Sequence, residues 1–368
     1  MSMATQFYKL ECCRRYGIEE MSEEKRTEYR FSFGPWNIHE GADPFGPPVR
    51  TPYSFEEKIE FYNELGFDGV QFHDDDAVPN LNEYTHTQIM KKAREVRRML
   101  DDRGLVAEFV APRLWEDPRT TDGAYTSNNP EDREYALKRS LTSMDIAREL
   151  GTDKIVLWLA REGTYIREAK NPGVAVSRIV DAINKMLDYD KKIRILIEPK
   201  PNEPMDQAYI PTVGHAVGLA YKTIEPSRVG VLIETAHCIL GGLDPADEMG
   251  YALYHNKLWS VHLNDQNGLK FDEDRSFASV NLRRAFNQVR VLEEGGYGRN
   301  GEFVGLDVKA MRTQRKEQST KHLSNSREQF LHLVEKVRTL DRKQEKEYID
   351  ARDYEGLDMF MLEHLMNI

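Results

Sequence analysis

The stretch Val229-Gly-Val-Leu-Ile-Glu-Thr-Ala-His237 is a short apolar, β-rich run that stops on a carboxylate and passes directly into a helical segment. Just before it, Arg194–Ile197 ends in Glu198, with Lys200 two residues on, and just after it Trp259–Leu263 leads into Asn264-Asp265. Working outward, the same pattern recurs at Arg30–Phe33, Gly69–Phe72, Leu105–Val110, Lys154–Trp158 and Phe303–Leu306. Helical spacing fills the gaps, with clear start and stop signals. Asn129-Pro130 reads as N-cap and first helical residue, Leu137, Leu141, Met144 and Ala147 share a face, and Gly151 closes the helix. Ser54 followed by Glu57 is a capping-box pattern. Consecutive βα units of this number predict an α/β fold, a closed (βα)8 TIM barrel. No glycine-rich dinucleotide fingerprint follows any strand, which disfavours the open doubly wound alternative. The expected organisation is an N-terminal segment over 1–28, a barrel over 29–313, and a helical extension over 314–368. The extension is rich in Lys, Arg, Glu and Gln, and its stripe Met359, Leu362, Leu365 would pack on its own barrel or dock on a neighbouring subunit.

The chain has 368 residues and a net charge of −11, with 40% hydrophobic and 31% charged residues. That length supplies ample core, and the composition is that of a globular protein. Net acidity disfavours nucleic acid and anionic membrane as partners, since both are bound mainly through Lys and Arg. Cys12, Cys13 and Cys238 make no disulfide framework, and no apolar signal region stands at the N-terminus. The expectation is a cytoplasmic protein.

In a barrel, catalytic groups sit where strands end. The strand-terminal residues here are His73 (followed by Asp74-Asp75-Asp76), Glu198, Glu234 with His237 three on, His262, and Asp307 with Lys309 two on. Asp272 and Asp274 follow shortly after His262. Any one of these has an ordinary explanation as a salt pair, a capping loop or a core histidine. Converging carboxylates repel, however, and are tolerated only when protonated or neutralised by cations. Oxygen-rich ligation with one or two imidazoles suits Mg²⁺, Mn²⁺ or Co²⁺.

These residues resemble the xylose isomerase family from about Tyr29 to Arg312. The resemblance is carried by Phe31-Ser-Phe-Gly-Pro-Trp36, Asp43-Pro-Phe-Gly46, Gly69-Val-Gln-Phe-His-Asp-Asp-Asp76, Trp158 and Arg161-Glu-Gly163. Glu198-Pro-Lys-Pro-Asn-Glu-Pro204, Pro211-Thr-Val-Gly-His-Ala216, Glu234-Thr-Ala-His237, Leu263-Asn264, Asp272-Glu-Asp274 and Asp307-Val-Lys309 continue it. It implies a sugar isomerase with two divalent cations per subunit, assembled as a homotetramer or at least a dimer. One cation would be held by Glu198, Glu234, Asp307 and the residue at 262, the other by Glu234, His237, Asp272 and Asp274. His73, held by Asp76, would assist ring opening, and Lys200 would bond the C1 oxygen. Trp36, Trp115, Trp158, Asn264 and Lys309 would line the sugar site, and Phe45 would enter a neighbour's site.

The chain departs from the family at His262, where xylose isomerases carry Asp. A His there looks like rhamnose isomerases and the related ketose epimerases. Neutral imidazole for carboxylate predicts preference for Mn²⁺ or Co²⁺ over Mg²⁺. Trp115, Arg113 and Leu159-Ala160 also differ, and Arg113 is expected to pair with Glu116 or Asp117 or else to favour an acidic sugar. Alternatives are a rhamnose-type isomerase, an epimerase, a metal-dependent barrel nuclease and a non-catalytic sugar-binding barrel. The paired ligand sets favour the isomerase.

Overall fold

The structure is a computed structural model and describes residues 27–42 and 46–368. Phe45, Cys12 and Cys13 lie outside the described residues. Eight parallel strands close a barrel: β1 (Arg30–Phe33), β2 (Gly69–His73), β3 (Val106–Ala111), β4 (Lys154–Trp158), β6 (Arg194–Glu198), β8 (Val229–Glu234), β9 (Leu258–Leu263) and β10 (Phe303–Leu306). Each pairs with its neighbour in chain order, and β1 closes on β10 with Arg30 opposite Phe303. The strands read as mostly apolar runs because both faces are buried, with Ser32, Gln71, Glu108, Ser260 and His262 as buried polar exceptions. Outward residues such as Val70, Ile155, Ile195 and Val231 meet the helices, while Phe109, Val156, Leu196 and Leu232 fill the interior.

The punctuation performs as the residue types dictate. Asn129 caps the helix Pro130–Leu150 through the Glu131 amide, and Gly151 ends it in the left-handed region at φ 85°. Ser54 and Glu57 form the reciprocal box, with Ser54 N donating to Glu57 Oε2 at 2.7 Å and Glu57 N to Ser54 Oγ at 3.2 Å. One face differs from expectation. Met144 and Ala147 are buried, but Leu137 and Leu141 are only partly so, while Arg139, Ser140 and Ser143 turn inward. The reason for Arg139 and Ser143 is Asp74, fully buried beneath that helix, which accepts from both, while Ser140 meets the buried Tyr125 hydroxyl at 2.6 Å.

The compositional change at Gln314 does not coincide with the end of the barrel layer. Helix Lys321–Arg338 packs on the barrel, and its Phe330 meets Tyr29 and Phe31 edge-on at 4.9 and 5.6 Å. Helices Arg342–Ala351 and Tyr354–Met366 follow. In the last, Met361 is buried and Leu357, Phe360 and Leu365 pack on the core, whereas Met359 is 54% exposed. No helix among the described residues is long and apolar enough to cross a membrane.

Above the barrel, β5 (Gly163–Thr164) pairs antiparallel with β7 (Gln207–Ala208), joining the loops that follow β4 and β6. The approach is so close that a Cβ on Gly163 would lie 2.2 Å from the Gln207 carbonyl oxygen. Beside it, buried Glu162 accepts from the Tyr125 and Thr126 amides at 2.7 and 3.0 Å, bringing in the loop after β3.

Candidate active site

Strand register brings the terminal residues to one level. Glu234 lies opposite His262, His262 opposite Gly305, and Trp158 opposite Glu198, while Asp307 directly follows β10. Glu234 also caps the helix Thr235–Leu240, so His237, one turn on, faces back toward it at 3.3 Å. Asp272 and Asp274 come from the loop after β9. Reciprocal Asp265–Arg275 backbone bonds of 2.9 and 3.1 Å pin this loop, and Gln266 Nε2 donates to the Gly268 and Phe271 carbonyls. Asp274 adopts a left-handed φ of 48°. For a non-glycine residue that conformation costs roughly 1–2 kcal/mol.

Three groups of ligand atoms result, each within 4.8 Å: Glu198, Glu234, His237; Glu234, His262, Asp307; and Glu234, Asp272, Asp274. Glu234 belongs to all three. His262 Nδ1 lies 3.3 Å from Glu198 and 3.7 Å from Glu234, and His237 Nε2 lies 3.2 Å from Asp272. Around this cluster stand donors. Asn264 Nδ2 donates to Glu234 at 2.9 Å, Lys200 Nζ to Asp272 at 2.8 Å, and Lys309 Nζ to Asp274.

The electrostatics are those of an over-subscribed acidic site. Burial, then the charges of Asp272, Asp274 and Asp307, push Glu234 well above the usual carboxylate range. Burial and Asp272 likewise push Asp274 up to about 8. Glu198 goes the other way: burial opposes its charge, yet His262 holds it down to about 2. Against the same opposition from burial, Glu198 raises His262, and Asp272 raises Lys200. Two buried polar atoms in the cluster, His237 Nδ1 and Asp272 Oδ1, have no hydrogen-bond partner among the described residues. Carboxylates that repel one another and lone pairs that bond nothing fit divalent cations.

An aromatic wall borders the cluster. Trp36 lies 4.1 Å from the His73 ring, His73 meets Trp115 edge-on at 5.1 Å, and Trp115 meets Trp158 edge-on at 4.6 Å. Lys200 Nζ sits 5.2 Å over Trp158. His73 Nδ1 is 3.0 Å from Asp76, which also accepts from the His73 amide at 2.9 Å and lies 3.7 Å from the Arg113 guanidinium. Arg113 is paired, but more widely than its sequence neighbours suggest. Its guanidinium donates to Asp75 at 2.8 Å and Glu116 at 3.2 Å, and approaches His73 Nδ1 at 2.7 Å. Asp117 instead takes Arg119.

Sequence reasoning passed over Gln71 and Glu108, both buried inside the barrel below His262. The available signal was a lone carboxylate in the apolar run Leu105-Val-Ala-Glu-Phe-Val110.

With the geometry established, comparison with known proteins is informative. A family model described as xylose isomerase-like TIM barrel matches residues 59–294. The chain is 36% identical over 300 residues to a xylose isomerase of Thermus thermophilus, spanning 80% of this chain and 76% of that one. A xylose isomerase domain protein of Alicyclobacillus acidocaldarius superposes with TM-score 0.59 at 13% identity, covering 84% of this chain and all (100%) of that one. A D-psicose 3-epimerase from Clostridium cellulolyticum gives TM-score 0.57 at 14% identity, covering 84% and 99%. At such identities the two structures speak for the fold alone.

Proposed function

Because this chain belongs to the xylose isomerase-like TIM-barrel family, we propose that it is a divalent-cation-dependent aldose–ketose isomerase. The reaction is D-xylose to D-xylulose, or the same conversion of a related sugar, by ring opening and a 1,2-hydride shift. The observation that supports this reading most is the group Glu234, Asp272 and Asp274, which shares Glu234 with the group Glu234, His262 and Asp307 and which His237 Nε2 approaches at 3.2 Å from Asp272. Glu198, Glu234, His262 and Asp307 would hold one cation, and Glu234, His237, Asp272 and Asp274 the other. Such cations act as Lewis acids on the C1 and C2 oxygens of a sugar.

The chain's own residues supply the rest. Lys200, kept protonated by Asp272 at 2.8 Å, donates to the C1 oxygen and stabilises negative charge there. His73, oriented by Asp76, moves the proton that ring opening requires. Trp36, Trp115 and Trp158 cover the apolar face of the sugar and exclude water, so the hydride passes from C2 to C1 without exchange. Asn264 and Lys309 hold Glu234 and Asp274 in place. His262 favours Mn²⁺ or Co²⁺ over Mg²⁺, as imidazole is the softer ligand. The C-terminal extension, which exposes Met359, Met366 and Ile368, would form the contact between subunits of a homodimer or homotetramer, and light scattering would measure that state.

A ketose epimerase is the second reading, favoured by the set Glu198, Glu234, His262 and Asp307, which one cation satisfies. The test is a panel of aldoses and ketoses with metal-loaded protein in D₂O, followed by NMR. Isomerisation without deuterium in the product supports the hydride shift. Deuterium at C3 of a ketose with no aldose formed identifies an epimerase and overturns the isomerase.

A further inference from the structure

Beneath the metal cluster, the barrel interior holds polar groups where apolar packing is the rule. Glu108 is 2% exposed and forms no ion pair among the described residues. It is satisfied by hydrogen bonds alone. Ser32 Oγ and Gln71 Nε2 (3.2 Å) donate to one oxygen, and Ser260 Oγ donates to the other at 2.8 Å. Gln71 Nε2 also reaches Ser32 Oγ at 3.1 Å, and Gln71 Oε1 lies 3.1 Å from His262 Nε2. Gly305 leaves the necessary room, since a Cβ there would lie 2.5 Å from Gln71 Nε2.

The directions of these bonds are forced in sequence. A carboxylate surrounded by donors only accepts, so the NH₂ of Gln71 must face Glu108. The Gln71 carbonyl oxygen then faces His262 and requires a proton on Nε2. That leaves the lone pair on Nδ1, the nitrogen 3.3 Å from Glu198 and 3.7 Å from Glu234.

We infer that Glu108 and Gln71 are positioning residues that fix His262 as the Nε2–H tautomer and so present Nδ1 as the cation ligand. The inference rests on the cluster being a cation site. A Gln at 108 either donates or accepts, so Gln71 is free to turn its NH₂ to His262 and drive the proton onto Nδ1.

The experiment measures Mn²⁺ binding by calorimetry to chelator-stripped wild type, Glu108→Gln and Gln71→Met, and records histidine-nitrogen NMR of Cd²⁺-loaded wild type. His262 is assigned by its loss in His262→Asn. The expected result is ten- to hundredfold weaker Mn²⁺ binding in both variants, a range typical of outer-shell partners of ligating histidines. In the wild-type spectrum, His262 is expected to couple to Cd²⁺ through Nδ1 and keep its proton on Nε2. Coupling through Nε2, or Mn²⁺ binding in folded variants equal to wild type, overturns the positioning role and leaves the metal centre standing. No Mn²⁺ binding to wild type overturns both. The wild-type spectrum decides the tautomer even if neither variant folds.

Discussion

Trp36 Nε1 donates to Asp307 Oδ1 across 3.0 Å, so the indole that lies against His73 also aims a carboxylate of the acidic cluster. A hydrogen bond to a charged group contributes about 1.5–3 kcal/mol. Trp36→Phe keeps an aromatic face beside His73 but removes the donor. Mn²⁺ affinity should fall about tenfold, since 1.4 kcal/mol is a factor of ten. Calorimetric titration giving an unchanged Kd would show that Asp307 is positioned without Trp36.

Removing cations leaves Glu234 buried among Asp272, Asp274 and Asp307, and the protein should melt several degrees lower in chelator than with Mn²⁺. At a cation concentration about 100 times Kd, binding adds about 2.7 kcal/mol. Glu234→Gln should reverse the pattern: its chelated form melts at or above chelated wild type, because a neutral amide avoids the cost of burying a carboxyl group among Asp272, Asp274 and Asp307, and added Mn²⁺ gives no gain. Scanning calorimetry checks both arms, and a variant still stabilised by Mn²⁺ would sink the assignment of Glu234 as shared ligand.

His322 links the outer helix layer to the site. Its Nε2 donates to the Asn37 carbonyl at 2.9 Å, and Asn37 Oδ1 in turn accepts from the Val308 amide next to Asp307. Burial lowers its pKa from 6.5 to about 4, and Nδ1 has no partner among the described residues for a second proton. The unfolded chain therefore binds more protons between those values, so stability rises with pH across that window and is lost as pH falls from 6.5 toward 4. The loss is on the order of 3 kcal/mol, at about 1.4 kcal/mol per pKa unit. His322→Gln keeps a donor without the titration. Urea unfolding across this window should give a flatter profile for the variant, and parallel profiles would refute the assignment.

Asp74 precedes the segment that orients His73, and Arg139 grips it with two bonds of 2.8 Å in a fully buried setting. Asp74→Ala should cost about 3–5 kcal/mol, because it leaves the buried guanidinium with the more distant Asp75 carboxylate, at 3.3 Å, as its counter-charge. Asp74→Ala with Arg139→Met should cost much less. Denaturant titration of the single and double variants decides it, and additive losses would mean the two residues do not act as a pair.

Much of the architecture is written locally. The eight strands fall on short apolar-rich runs, four of which stop at or just before His73, Glu198, Glu234 and Asp307, and the caps at Ser54, Asn129 and Gly151 need only neighbours in sequence to act. The cluster was legible for the same reason, since strand ends share one rim once the barrel is granted. What escaped depends on partners far along the chain. Leu137 and Leu141 set the helical stripe by periodicity, yet Arg139 and Ser143 are the residues drawn inward, by Asp74 some 65 residues away. Arg113 reaches back to Asp75 and His73 across a strand crossover that no local pattern announces. Glu108 and Gln71 each sit alone in an apolar strand, and only closure of the barrel makes them neighbours. The boundary at Gln314 follows surface charge, whereas the helix that begins at Lys321 is held by the apolar Phe330 on its other side.

The short ribbon of β5 and β7, with Glu162 beside it, has a consequence for redesign. Trp158 ends β4 and Lys200 follows β6, and the ribbon fastens together the loops that leave these two strand ends, so a substitution that shifts one should shift the other. Retuning the pocket is therefore best directed at the arc outside the ribbon, where Trp36 in the turn after β1 and His73 at the end of β2 are not joined to it. Libraries that spare Gly163 and Gln207 should retain far more folded, active members than libraries that randomise them.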